Sequence, residues 1–170
     1  MNRVGEFEKV SFEQYYTDIK SEFGLVAEDE AVAKRIYESI QLPARATSGS
    51  AGYDFKAPFH FKLLPGKSIK IPTGIRVKIE EGWWLGCLPR SGLGFKYRLQ
   101  LDNTMGVIDA DYYYSDNEGH IFAKLTNNGR ADIIVEAGAG FMQAIFLPYG
   151  ITYSDDVKSV RNGGMGSTGV

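Results

Sequence analysis

Four short segments of the 170-residue chain carry side chains that could do chemistry. In the first, Pro89-Arg90-Ser91-Gly92-Leu93-Gly94, a guanidinium group and a hydroxyl group stand among glycines. Such a loop can offer a fork of donors and unobstructed backbone N–H groups to phosphate oxygens. The same residues also occur in ordinary turns, so this segment alone leaves both a phosphate site and a plain turn open.

The second segment is an apolar run that ends in a pair of carboxylates. Asp109 directly follows Val107 and Ile108, and Asp111 comes two residues later. A carboxylate at the end of a buried strand can serve as a general base, or it can simply cap a turn. The residues alone do not decide between these two interpretations.

The third and fourth segments lie toward the end of the chain. Gln143 is a polar residue inside an apolar strand pattern, and such a glutamine has a partner, either in the core or on a ligand. The glycine-rich tail over residues 161–169 packs little and loses much entropy on ordering, so it is either frayed or ordered by a ligand. It is not followed by a helix, which excludes a Walker A loop.

Composition excludes several classes of function. A net charge of −2 gives no reason to expect a nucleic-acid backbone or an anionic membrane as partner. The single cysteine, Cys87, excludes an intramolecular disulfide and is expected to be a buried thiol. His60 is expected in a strand, and His120 at the surface or in a structural role. No apolar run reaches spanning length, so a cytoplasmic protein is expected.

The elements that must position these residues change character along the chain. From about residue 45, apolar residues alternate with polar ones, as Ile75, Val77 and Ile79 do, and Gly-containing turns separate short runs. Regularly spaced short strands of this kind predict an all-β sandwich or barrel of the jelly-roll type.

Two short amphipathic helices are expected before the strands. The first is marked by the spacing of Phe12, Tyr15, Tyr16 and Ile19, behind a capping box formed by Ser11 and Gln14, and the second by Ala33, Ile36, Tyr37 and Ile40. Helices this short are not stable alone and must pack on something. They are either a structural appendage or subunit contact, or a surface that binds another protein.

Taken in order, these segments resemble the motifs of the trimeric dUTPase family. The resemblance runs from Ala44 to Val170 and rests on five segments: 48–57 with Asp54, 89–94, 106–112 with Asn103 upstream, 138–146 with Gln143, and the tail. It implies a helical extension over 1–43, a distorted jelly-roll β-barrel over 44–158 and a glycine-rich lid arm over 159–170.

What the resemblance implies is an enzyme that hydrolyses dUTP to dUMP and pyrophosphate with Mg²⁺. The enzyme would be a homotrimer with shared active sites, in which the arm closes over a neighbour's pocket. Asp109 would orient and deprotonate water for attack on the α-phosphorus, and Asp54 would support the site near the sugar. Mg²⁺ would be held mainly by the triphosphate and water.

The resemblance also assigns the substrate contacts. The phosphates would be held by Arg90, Ser91, the Gly92 amide and Gln143, with Arg161, Gly166, Ser167 and Thr168 on the terminal ones. The uracil edge would pair with Asn103 and with the backbone of Gly106, Val107 and Ile108. Tyr112 would lie against the deoxyribose and exclude a 2′-hydroxyl.

The chain departs from the family pattern at three places. Gly140 stands where an arginine is common, and Met165 stands where a phenylalanine usually covers the uracil. After Tyr112, an insertion over residues 113–118 precedes Gly119. Methionine can still cover a base through its flexible, polarizable side chain, with weaker stacking expected.

Two other functions compete with this interpretation. A dCTP deaminase of the same fold would need a glutamate where this chain has Lys124. A lysine cannot replace a carboxylate as proton shuttle, which argues against deamination. The other alternative is a dual-role protein that binds a protein partner through the N-terminal helices or the loop after Tyr112.

Overall fold

The computed structural model describes residues 2–24, 29–159, 161 and 163. The elements before the barrel are β1 (Gly5–Lys9), α1 (Phe12–Phe23) and α2 (Glu30–Ser39). The remaining elements are β2 (Ala44–Arg45), β3 (Tyr53–Lys56), β4 (Phe61–Leu63), β5 (Ser68–Pro72), β6 (Ile75–Ile79), β7 (Trp83–Pro89), α3 (Ser91–Tyr97), β8 (Leu99–Leu101), β9 (Gly106–Ile108), a 3₁₀ helix (Ala110–Tyr114), β10 (Phe122–Asn127), β11 (Ile133–Val135) and β12 (Gly140–Pro148).

The longest strand, β12, organises the largest sheet. It pairs with β3 on one side and β7 on the other, which gives the strand order β2-β3-β12-β7-β9. Smaller sheets are formed by β5-β10-β8, β4-β11 and β1-β6, and the strand pairs are antiparallel. This mainly strand-built architecture confirms the jelly-roll barrel expected from the sequence.

Strand alternation places the core as the sequence predicts. In β6, Ile75, Val77 and Ile79 are buried, and the residues between them are more exposed. Cys87 is buried in β7, and this burial raises the pKa of its thiol to about 12. The prediction of a buried thiol is therefore confirmed.

Helix α1 begins where the sequence predicts, but only half of the expected capping box forms. The Ser11 hydroxyl accepts a hydrogen bond from the Gln14 backbone N–H at 3.1 Å. The reciprocal partner is Glu118 from the distant insertion, which accepts from the Ser11 N–H at 2.8 Å and from the Ser11 hydroxyl at 2.5 Å. The Gln14 side chain donates to Asp18 instead.

The two helices pack on the barrel, as their length requires. Helix α1 buries Tyr15 and Ile19 and contacts β5, while α2 buries Ala33. Strand β1, which the sequence analysis did not predict, pairs with β6 and packs Phe7 against the barrel. Among the described residues, no helix combines the length and apolar character needed to cross a membrane.

Candidate active site

The register of β12 brings three predicted site residues together. Gln143 lies opposite Asp54 on β3 and opposite Leu88 on β7. Arg90 directly follows β7, and its Nε lies 3.3 Å from Asp54 Oδ1. We call Asp54, Arg90, Ser91, Gly92 and Gln143 the Arg90 cluster.

The Arg90 guanidinium is held on one side and open on the other. Asp54 is mostly buried, whereas the Arg90 side chain is 43% exposed. The amide of Gln143 makes only a long contact, 3.5 Å, with the Pro89 carbonyl oxygen. Because a good N–H···O bond is about 2.9 Å long, this amide retains donor capacity for another partner.

Gly140, which departs from the family pattern, makes room for Arg90. A Cβ atom at this position would lie 2.6 Å from Arg90 Nη1 and 3.0 Å from Arg90 Cζ. Arg90 Nη1 also makes a long contact, 3.4 Å, with the Gly140 carbonyl oxygen. A larger side chain at position 140 would require the Arg90 guanidinium to move, and with glycine here a single guanidinium occupies this space.

The Arg90-Ser91-Gly92 segment is the start of a short helix rather than a plain turn. Arg90 is the residue before α3, and Ser91 and Gly92 form its first turn. Both are exposed, and no atom lies within 4 Å of a Cβ built at Gly92. The backbone there is accessible to a bound group, as the glycine suggested.

Asp109 directly follows β9 and precedes the 3₁₀ helix. Arg161 Nη2 donates a hydrogen bond to Asp109 Oδ2, and Arg161 Nε donates to Asp111 Oδ1 at 3.1 Å. The Arg161 guanidinium also lies over the Tyr112 ring, 5.6 Å from its centroid. We call Asp109, Asp111, Tyr112 and Arg161 the Asp109 cluster.

The alternation of β9 divides its residues between two cavities. Gly106 and Ile108 line a first cavity of about 520 Å³, together with Asn103 and Tyr112. Val107 lines a second cavity of about 560 Å³ beside Asp109. The residues expected to contact a base therefore do share one strand, but Val107 presents its side chain to the other side.

The first cavity also has walls that sequence reasoning did not assign. Its lining includes Asp18 from α1, Asn117 from the insertion and Lys70 from β5. Lys124 lines it too, and its Nζ lies 3.1 Å from Asp102. No local motif marks these residues, because only the folded barrel brings them to the cavity.

Asp102 on this wall is held in its ionised form by its neighbours. A hydrogen bond from the Thr126 hydroxyl, and then the Lys124 ammonium, lower the pKa of its carboxyl. The cavity wall thus carries a fixed anion and a lysine beside it. A dCTP deaminase would need a glutamate at the lysine's position.

Tyr112 and the two histidines differ in their surroundings. Tyr112 is buried, which raises its pKa, and its hydroxyl donates to the His120 carbonyl at 2.7 Å. His120 is fully buried, so the surface placement was wrong and the structural one is right. His60 is exposed just before β4 and pairs with Glu136 at 3.0 Å.

The two clusters lie at opposite ends of β7. Ile108 is opposite Leu85, so Asp109 follows at the start of β7, whereas Arg90 comes after its end. The six steps along the chain from Trp84 to Arg90, at about 3.3 Å each, separate the clusters by roughly 20 Å. One chain therefore does not bring the Arg90 and Asp109 clusters together.

Two further predictions concern the tail and a metal. Met165, Gly166, Ser167 and Thr168 lie outside the described residues. Within residues 2–24, 29–159, 161 and 163, no group of three or more His, Cys, Asp or Glu side chains is placed to hold a metal ion.

Known proteins resemble this chain along most of its length. A family model described as dUTPase matches residues 38–170. The deoxyuridine 5′-triphosphate nucleotidohydrolase of Lactococcus lactis is 38% identical over 143 residues, which cover 82% of this chain and 95% of the relative. The protein of the same name from Blochmanniella pennsylvanica is 41% identical over 120 residues, covering 69% of this chain and 77% of the relative.

Solved structures agree with these relatives. The dUTPase from Streptococcus mutans is 37% identical with a TM-score of 0.60 and covers 68% of this chain and 90% of its own. A dUTPase from phage phi11 of S. aureus is 17% identical, with a TM-score of 0.63 over 92% of this chain and 98% of its own, and supports the fold alone. The extent of the family match and the identity of the relatives show that the chain belongs to the dUTPase family.

Proposed function

We propose that this member of the family hydrolyses dUTP to dUMP and pyrophosphate, by attack of water on the α-phosphorus, in sites shared between the subunits of a homotrimer. The observation that carries the proposal is the position of Asp109. Its carboxylate is 47% exposed and lines the second cavity at the end of β9, while Gly106 and Ile108 of the same strand line the first cavity. A water molecule can reach it beside a bound nucleoside.

Asp109 serves as the general base in this proposal. It orients a water molecule and accepts its proton as the water oxygen bonds to the α-phosphorus, while the bond to the bridging oxygen breaks and pyrophosphate leaves. Arg161 occupies Asp109 Oδ2 in the structure. The guanidinium competes with water for this oxygen, and the substrate's terminal phosphates offer it another anionic partner.

The Arg90 cluster supplies charge neutralisation and positioning, which dominate phosphoryl-transfer catalysis. The exposed face of the Arg90 guanidinium, the Ser91 hydroxyl, the Gly92 amide and the weakly engaged Gln143 amide hold the α- and β-phosphates. Asp54 holds Arg90 in place from behind. In the arm, Gly166, Ser167 and Thr168 join Arg161 on the terminal phosphates, and Met165 covers the base.

Mg²⁺ fits this site as an ion that arrives with the substrate. The nearby carboxylates are engaged by arginines, Asp54 by Arg90 and Asp109 by Arg161. Mg²⁺ keeps several water ligands and binds readily through phosphate oxygens. Bound in that way, it would neutralise charge on the triphosphate and leave the proton transfer to Asp109.

The lining of the first cavity supports selectivity for deoxyuridine in this proposal. The Asn103 amide and the backbone of Gly106 and Ile108 present donors and acceptors to the uracil edge, and cytosine would leave them mismatched. Gly106 is close to Cys87, where a Cβ would lie 3.1 Å from the Cys87 Cβ. The β7–β9 pair is therefore tight, which agrees with exclusion of the thymine methyl group.

The separation of the clusters supports the shared site. A triphosphate that contacts Asp109 at its α-phosphorus cannot also contact an Arg90 that lies about 20 Å away along β7. A neighbouring subunit can supply the second cluster, because closed symmetry places the same contact at every interface. Each site then takes its Asp109 cluster from one chain and its Arg90 cluster from another. In the structure Arg161 lies on Asp109 of its own chain, whereas the resemblance implied an arm that closes over a neighbour's pocket.

The test is pyrophosphate release with dUTP, dCTP, dTTP and UTP, comparing the parent with Asp109→Asn. We expect activity on dUTP only, and a loss of about 10³-fold or more in kcat for the variant, the size of a lost general base. Comparable hydrolysis of dTTP or UTP would contradict the account of the pocket. Ammonia release from dCTP would instead support deamination, despite Lys124.

A further inference from the structure

We propose that Asn117 and His120 are positioning residues that hold the Tyr112 ring at the sugar, and that Asp18 of helix α1 in turn holds His120. This inference rests on the proposed function and extends it to the helical extension and the insertion. The helical extension contributes Asp18 and the insertion contributes Asn117 to the lining of the first cavity, beside Tyr112.

The hydroxyl of Tyr112 is engaged from two sides. It donates to the His120 carbonyl oxygen at 2.7 Å and accepts from Asn117 Nδ2 at 2.8 Å. Asn117 lies within the insertion, and His120 follows it. Tyr112 itself is buried. The two hydrogen bonds fix the position of the Tyr112 hydroxyl and its ring. They thereby set the space between the ring and a bound sugar.

His120 is itself fixed through both ring nitrogens. Its Nε2 accepts a hydrogen bond from the Gly74 backbone N–H at 2.7 Å, so the ring proton lies on Nδ1. Nδ1 then donates to Asp18 Oδ2 at 2.5 Å, and Gln14 Nε2 donates to the same oxygen at 2.8 Å. Helix α1 therefore holds the His120 ring in place, and the backbone carbonyl of His120 in turn holds the Tyr112 hydroxyl.

Asn117 is not placed for stability alone. Its Nδ2 is used by Tyr112, but its Oδ1 is buried with no hydrogen-bond partner among the described residues. A buried polar atom without a partner costs stability. Asn117 carries this cost while it holds the Tyr112 hydroxyl. Such an arrangement is expected where the position of the tyrosine ring matters for binding the sugar.

The insertion is anchored on the side that faces the helical extension. Glu118 accepts hydrogen bonds from the Ser11 N–H and hydroxyl, and the Tyr113 hydroxyl donates to Glu8 at 2.8 Å. The Arg76 guanidinium lies 4.4 Å from the centroid of the Tyr113 ring. Contacts on both sides of Asn117 thus hold it in place against Tyr112.

The experiment compares kcat/KM for dUTP and UTP. In Asn117→Leu, the loss of one hydrogen bond should lower the dUTP-to-UTP ratio about tenfold. Asp18→Ala should lower it in the same direction. Asp18→Asn should retain the parent's ratio, because its amide oxygen still accepts from His120 Nδ1.

A matched control is Glu136→Ala, which removes the carboxylate partner of His60 in an exposed His–Glu pair. It should leave the ratio unchanged. An unchanged ratio in an assembled, active Asn117→Leu enzyme would overturn the inference alone. If that variant does not assemble, equal ratios for Asp18→Ala and the parent would overturn it. A parent that does not hydrolyse dUTP would overturn the proposed function and this inference together.

Discussion

The Arg90 and Asp109 clusters use opposite charge arrangements at opposite ends of β7. In the Arg90 cluster, a mostly buried carboxylate, Asp54, serves to hold a half-exposed cation. In the Asp109 cluster, a mostly buried cation, Arg161, covers a half-exposed carboxylate. In the proposed function, the first cluster would serve as the phosphate site, and the second as a base whose cation a bound triphosphate would attract.

The clusters also differ in how the sheet supports them. The Arg90 cluster is built at the junction of β3, β12 and β7, inside the five-stranded sheet. The Asp109 cluster follows β9, which is the edge strand of that sheet. An edge strand has a free side on which another segment can lie, whereas interior strands are fixed on both sides. In the proposed function, phosphate binding would therefore use the part of the sheet that is fixed on both sides, and the base would lie beside its open edge.

The largest expected effect in the Arg90 cluster comes from Arg90→Ala. Because the variant lacks the guanidinium that stabilises the charge developing on the phosphates in the transition state, kcat/KM for dUTP should fall about 10²- to 10³-fold. Arg90→Lys is the matched control for charge, and it should recover only part of the activity because it lacks the planar fork. A loss below tenfold in steady-state assays of Arg90→Ala would show that this cluster is not the phosphate site.

A smaller effect is expected when Gly140 gains a methyl group. In Gly140→Ala, the new Cβ would meet Arg90 Nη1 at 2.6 Å, so the guanidinium must leave the position in which its Nε lies 3.3 Å from Asp54 Oδ1. Since a small misplacement of a positioning group reduces catalysis strongly, kcat/KM should fall about tenfold with little change in Tm. Gly150→Ala, which has no atom within 4 Å of its new Cβ, is the control. Equal kinetics in the two variants would contradict the role of Gly140.

The smallest effect is expected at the middle of β7, the strand that separates the clusters. Burial raises the pKa of Cys87 to about 12, so at pH 8 only about one thiol in 10⁴ is ionised. The folded protein should therefore resist alkylation by iodoacetamide at pH 8, and denaturant should make the thiol reactive. Rapid alkylation of the folded protein would mean that β7 opens, and that the distance between the clusters is not fixed.

The sequence predicts elements that have a periodic apolar pattern and residues that lie in family motifs. It does not predict contacts between residues that are far apart in the chain. Apolar spacing predicts α1 and α2, and alternation predicts β6, because periodic burial leaves a periodic pattern. The resemblance identifies Asp54, Arg90 and Gln143, although their meeting depends on the register of β3, β12 and β7. It implies sites shared between subunits, but it does not say which motifs lie far apart in one chain.

The residues that sequence reasoning missed are held by partners that lie far away along the chain. Glu118 replaces Gln14 in the helix cap, and Asp18 meets His120 across 102 positions of the chain. Strand β1 is short, with Phe7 between two glutamates, and it becomes recognisable only through its pairing with β6. Such contacts leave no local mark, since the barrel itself brings the partners together.

The central claim is that each site combines the Asp109 cluster of one chain with the Arg90 cluster of another. The direct test coexpresses Asp109→Asn and Arg90→Ala chains with different tags and purifies trimers that carry both tags. Each variant alone should be nearly inactive. In a closed trimer, every mixed assembly then contains one site with both clusters intact, so about one third of the parent's dUTP hydrolysis should return. No recovery in the mixed trimers would show that both clusters act within one chain, and would contradict the account.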